Sequence, residues 1–175
     1  MIGAITAGLF SSGVAAATNS YESIATATGT GSSGSISFAS IPSTYKHLQL
    51  RASWDTTPAA GYLTITVNSG TAPTKSHALY GDGSAANAAA FTNVITLENG
   101  YGQPYAGIID ILDYTDTNKN KTIRTLFGGD RNGVGIVGLT SAYIGSTSAI
   151  SQITIALSSN NFTSTTKFAL YGIKG

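Results

Sequence analysis

Hydrophobic and polar positions alternate with a period of two over short stretches of the chain from Tyr21 onward. Ile36 and Phe38 alternate with Ser35 and Ser37. Leu48, Leu50, Ala52 and Trp54 alternate with His47, Gln49, Arg51 and Ser53. Leu63, Ile65 and Val67 are interleaved with Thr64 and Thr66, and Ile153, Ile155 and Leu157 with Thr154 and Ala156. Successive side chains of an extended strand point to opposite faces, so each run predicts a strand with one apolar and one polar side. Two stretches, Ile108 to Leu112 and Phe168 to Ile173, are apolar on both faces and predict central strands covered from both sides. An apolar strand near the chain end must be flanked within a sheet, because an exposed one invites aggregation.

Turn chemistry separates these runs. Asn68 to Gly70, Gly81 to Gly83, Asn99-Gly100, Thr117 to Asn120, Asp130 to Gly133 and Ser158 to Asn161 suit positive φ or side-chain-capped turns. Asp130 to Gly133 is the strongest hairpin signal and joins Thr122–Gly129 to Val134–Tyr143. Gly29 to Gly34 reads as a flexible polar loop, and Ile41-Pro42 breaks a strand because proline lacks a donor and restricts its predecessor. Ser84 to Ala90 is the one place where a helical turn fits. Roughly nine to eleven strands and little helix follow, which predicts an all-β, antiparallel, jelly-roll-like β-sandwich over residues 21–175. No Cys–Trp–Cys spacing points to an immunoglobulin-type sandwich.

Residues 1–20 stand apart as an extended N-terminal arm. Met1 to Thr18 is uncharged, apolar and small. It lacks the basic start of a secretory signal, and glycine and serine interrupt it too often for a bilayer span. Ile2, Ile5, Leu9, Phe10 and Val14 need burial, either against another polypeptide or along the arm's own domain, and the first is the expected arrangement.

Composition adds one constraint. Of 175 residues, 9 are Lys or Arg and 8 are Asp or Glu, giving a net charge of +1. Surfaces this weakly charged repel one another little and tend to associate. The basic residues are scattered, so neither nucleic acid nor membrane is an expected partner. The chain has no cysteine, which removes disulfides, thiolate metal sites and cysteine nucleophiles.

Four segments taken together carry a resemblance: Tyr21 to Thr26, Ile36 to Leu50, Asp110 to Tyr114 and Phe168 to Gly175. From about Tyr21 to its end the chain resembles a family of small virion structural proteins of tailed bacteriophages, including phages of cyanobacteria and other aquatic hosts. Members occur as capsid decorations, head or neck fibres and tail-associated parts. The resemblance implies a virion location, a homotrimer or other oligomer, and contacts with capsid, neck or tail proteins. It brings no catalytic residues and no cofactor. On that footing the arm anchors the oligomer to the particle.

The residues themselves offer little chemistry. His47 and His77 are the only histidines, and no G-x-S-x-G elbow accompanies them. Asp110, Asp113 and Asp116 form the densest acidic cluster. Asp110 and Asp113 are expected on opposite faces of one strand, which rules out a paired acid and base. Asp113, Asp116 and Asn118 offer oxygen ligands for calcium without the spacing of a dedicated loop, and a solvated turn neutralised by lysine is the simpler expectation. Tyr80, Tyr101, Tyr105 and Tyr143 lie in or beside loops. Tyr101 and Tyr105 are the best placed of these to contact a host-surface glycan, or, as interface tyrosines, a protein partner.

Overall fold

The computed structural model describes residues 20–57, 61–97, 104–131 and 134–175; the anchoring positions Ile2, Ile5, Leu9, Phe10 and Val14, and Tyr101, lie outside them. The described residues form thirteen strands and no helix. In order these are β1 (Tyr21–Thr28), β2 (Ser35–Phe38), β3 (His47–Trp54), β4 (Thr56–Thr57), β5 (Leu63–Val67), β6 (Lys75–Gly81), β7 (Ala86–Phe91), β8 (Tyr105–Leu112), β9 (Lys121–Arg131), β10 (Val134–Ile144), β11 (Ile153–Leu157), β12 (Asn161–Phe162) and β13 (Lys167–Ile173).

Eight strands make one antiparallel sheet in the order β1-β13-β3-β8-β9-β10-β6-β7. A three-stranded sheet, β2-β11-β5, and a two-stranded one, β12-β4, complete the structure. The chain is therefore an antiparallel β-sandwich of the jelly-roll-like kind, with one layer much larger than the other. Ile36, Ile155 and Ile65 stand side by side across the small sheet, as do Phe38, Ile153 and Val67, and all six are buried. They meet Leu48, Leu50, Ile109, Ile111 and Leu170 of the large sheet in one continuous core. Burial of this kind contributes about 25 cal/mol per Å² of apolar surface, so these alternations fix which face of each strand turns inward.

A repeated pairing of rings and glycines builds the inner face of the large sheet. Trp54 on β3 lies against Gly107 on β8, Tyr105 on β8 against Gly129 on β9, and Phe127 on β9 against Gly138 on β10. Each ring occupies the space a side chain on the next strand would fill. Trp54 and Tyr105 also stack, with centroids 5.5 Å apart and planes 16° from parallel.

Several expectations change. Ser84 to Ala90 is not helical: residues 86–91 form an edge strand, because pairing with β6 satisfies their backbone and outweighs alanine's helix preference. The strand from Ile108 to Leu112 is central in the sheet but covered on one face only, since Ile108 is 39% exposed on the other. β13 lies between β1 and β3, flanked as its sequence demands. Asp113 is not on β8 at all; it follows the strand with φ of 46°, so the expected opposite-face arrangement with Asp110 does not arise. Gly29 to Gly34 is pinned rather than free. Gly29 N donates to Thr166 O at 3.0 Å and Gly31 N to Phe162 O at 3.0 Å. A Cβ at Gly29 would sit 2.1 Å from Thr163 O.

Candidate functional site on the outer face of the large sheet

The face of the eight-stranded sheet turned away from the core is open to solvent, and the pairing registers place its side chains in rows across the strands. One row runs Arg51, Ile108, Leu126, Leu139, Leu79 and Ala88, from β3 to β7. Leu79 is 63% exposed, Leu126 56% and Leu139 49%, and Val137 in the next row is 60% exposed. Beneath them, on the buried side of β9, β10 and β6, sit Thr125, Thr140, Ala78 and Ser76. Over this stretch the usual partition is inverted, with large aliphatic groups facing water and small or hydroxyl-bearing groups facing the core, while Ile123, Phe127, Ile136 and Ile144 of β9 and β10 are buried on either side of it. Single exposed leucines are ordinary, whereas a contiguous apolar surface of this kind marks an interaction site.

A groove of about 910 Å³ opens over the same face. Ala106, Gly107, Ile108, Gly128 and Val137 line its floor, and Arg51 and Lys167 also line it. Small residues in the row Ser53, Ala106, Gly128, Val137 leave the depression between bulkier neighbours.

The β1-β13-β3 side of the face is polar and ordered. The Arg51 guanidinium lies between two rings, 4.9 Å from the centre of Tyr21 and 4.8 Å from that of Tyr171. Its Nε donates to Gln49 Oε1 at 2.9 Å, and Gln49 Nε2 donates to Asp110 Oδ1 at 2.9 Å. Arg124 Nη2 stands 3.9 Å from Asp110 Oδ2. Ring stacking and the hydrogen bond hold a charged, multi-donor group in one orientation beside the groove. Such an arrangement binds carboxylates, sugar hydroxyls or protein carbonyls. Nothing in the local sequence signals it, because it needs β1, β13 and β3 side by side.

No protein-family model matches the chain, and no curated protein does. Among solved structures, the alginate lyase Aly36B is similar to this chain at 10% identity, over 87% of this chain and 70% of that one, with a TM-score of 0.32. A mutant of Aly36B in complex with alginate trisaccharide is similar at 10% identity over 74% and 72% of the two chains, with a TM-score of 0.29. Likeness at that level assigns no activity and no ligand.

Of the other residues singled out from the sequence, His77 and Tyr143 border the apolar rows on this same face, and the rest fall elsewhere. Tyr105 is 3% exposed, its ring held between Trp54 and Gly129, so it presents no face to a sugar or a partner. Tyr80 is half-buried, and the Tyr143 hydroxyl accepts a hydrogen bond from Asn120 Nδ2 at 2.7 Å. His47 begins β3 and His77 lies on β6, four strand spacings away, or about 19 Å. His47 Nδ1 accepts the Asp113 backbone N–H at 2.9 Å, so that nitrogen carries no proton with which to bind the Asp113 carboxylate 3.5 Å away.

The acidic cluster is a lysine-bound turn. Asp113 receives Lys119, and Lys46 Nζ at 2.9 Å, and these ammonium groups, Lys119 foremost, lower its pKa to about 2. Asp116 Oδ1 accepts Asn118 N at 2.8 Å, and this backbone hydrogen bond is the chief reason its pKa falls. The buried Lys121 side chain donates to the carbonyls of Asp116, Lys119 and Thr147, using all three ammonium protons to close the turn. Burial lowers its pKa. The Asp113 and Asp116 carboxylates are thus engaged with ammonium and amide groups. Among the described residues no three His, Asp or Glu side chains converge.

Proposed function

We propose that this chain is a non-enzymatic virion structural protein, an oligomeric surface component of a tailed-phage particle, whether a capsid decoration or a head–neck or tail fibre part, anchored through residues 1–20. The virion setting rests on the resemblance carried by Tyr21 to Thr26, Ile36 to Leu50, Asp110 to Tyr114 and Phe168 to Gly175. The assembly role is supported by one observation above others: the row of exposed aliphatic side chains on the outer sheet face, with Thr and Ala turned to the core beneath it. A solitary protein would gain by the reverse arrangement. The uncharged arm is a second apolar element requiring cover.

Deleting residues 1–20 tests the reading. The expected result is a folded body, unchanged in circular dichroism, that fails to incorporate into particles. Normal incorporation of the shortened chain overturns the anchoring role.

A second reading, a glycan- or receptor-binding module, is favoured by the Tyr21, Arg51 and Tyr171 stack. The exposed Tyr21 ring beside a fixed multi-donor group suits a sugar ring. On a glycan array the purified protein should then bind, and Tyr21→Ala should abolish the signal. Silence of the wild-type protein on the array and in host adsorption removes this reading.

A further inference from the structure

We infer that the outer face of β9, β10 and β6 is the surface through which copies of this chain bind one another. The inference deepens the assembly role proposed above by naming its interface.

Three observations lead to a second copy as the occupant. The first is the inversion already described: Leu79, Leu126, Val137 and Leu139 project outward from adjacent strands, while the same strands bury Thr125, Thr140 and Ala78. No element among the described residues covers them. The second is charge. The aliphatic rows carry no ionic group from Ile108 to Ala88; one bordering row holds Asp110 beside Arg124, paired in register, with His77 further along it, and the opposite border holds the exposed Asp130. A surface with a neutral centre and both signs at its border complements itself. A strongly acidic or basic partner would find nothing to match its charge. Asp110 and Arg124 are 3.9 Å apart, a loose pairing that leaves Arg124 free to reach the partner's Asp110. The third is relief. Beyond Leu79 the face flattens into Ala86, Ala88 and Ala90 of β7, low side chains that let an opposing sheet approach to about 10 Å. A two-fold axis brings such a face against a copy of itself.

The experiment uses the full-length chain. Sedimentation analysis across a concentration series reads its mass, and the comparison is with the double variant Leu79→Glu, Leu139→Glu. Both positions point into solvent, so the glutamates are hydrated in the monomer and circular dichroism and Tm should be retained. Tyr62→Glu, exposed at 42% on β5's side of the sandwich, is the control. We expect an oligomer for the wild type and for the control, and a single chain of about 17.8 kDa for the double variant. A wild-type monomer overturns the inference, and so does an oligomer that survives the double substitution. A full-length monomer that associates only when residues 1–20 are removed also overturns it and assigns the face to the arm. If the chain oligomerises through this face but is absent from particles, the virion role fails while the interface stands.

Discussion

The ring of Phe127 lies where a Gly138 side chain would be: a Cβ added to Gly138 would come within 2.4 Å of the ring's Cζ. The two residues are directly opposed on β9 and β10. The same device operates at Tyr105 with Gly129 and at Trp54 with Gly107, so three successive strand pairs each lay an aromatic ring over a glycine. The glycines are needed for space rather than for backbone freedom, and the rings cover the weak points that glycines leave in a sheet.

Gly138→Ala should therefore displace Phe127 from the inner face. Overpacking of this kind costs about 1–3 kcal/mol. Urea denaturation should show a lower midpoint with an unchanged slope. A variant as stable as wild type would show that Phe127 moves aside freely.

The hydroxyls of Thr125 and Thr140, opposed on the inner face, are buried and have no hydrogen-bond partner among the described residues. An unpaired buried hydroxyl costs about 1–3 kcal/mol, and valine keeps the shape while removing the polar atom. Thr140→Val should raise stability by about 1 kcal/mol. A fall in Tm would mean that the hydroxyl is satisfied in solution.

Asp113 links stability to pH. Its folded pKa of about 2 lies below the unfolded value of about 3.9. A depressed carboxylate contributes stability that is present above the unfolded value and is lost as pH falls through the folded one. Asp113→Asn should thus lower stability at pH 7 by up to about 1 kcal/mol, the scale of a partly exposed ion pair. The difference from wild type should shrink between pH 4 and pH 2. Using the difference removes the titration of Asp82, whose pKa is also about 2. A gap that stays constant over that range would assign the effect to geometry alone.

Lys121→Met should loosen the 116–120 turn. Three carbonyls lose their ammonium donor, and the expected loss is about 2 kcal/mol, within the range for hydrogen bonds to a charged group. Faster amide exchange from Asp116 to Asn120, with the rest of β9 still protected, is the signature. Uniform loss of protection would mean that Lys121 supports the whole sandwich.

Much of the fold was legible before any coordinates. The alternations at Ile36, Leu48, Leu63 and Ile153 each mark a strand and its buried face, and β9 and β10, expected to be neighbours across Asp130 to Gly133, pair in register from Arg131 with Val134 to Lys121 with Ile144. Turn chemistry was legible too: Asn68, Gly70, Gly83 and Asn160 have positive φ in segments read as turns. Ser84 to Ala90 misled because alanine favours helix locally, while the partner that makes it a strand, β6, is supplied by the sheet. Tyr105 misled because its position beside a glycine- and proline-containing loop looked exposed, and only the approach of Trp54 and Gly129 encloses it.

What the sequence determined by itself is the class of fold and the inward side of most strands, because side-chain alternation and turn geometry act over a few residues. The tertiary structure decided which strands are neighbours. It set Arg51 between Tyr21 and Tyr171, tied Asp113 to Lys46, and aligned Leu126, Leu139 and Leu79 into one exposed row. Each of these depends on residues brought together by strand order, and no local pattern along a chain encodes which strand lies beside which.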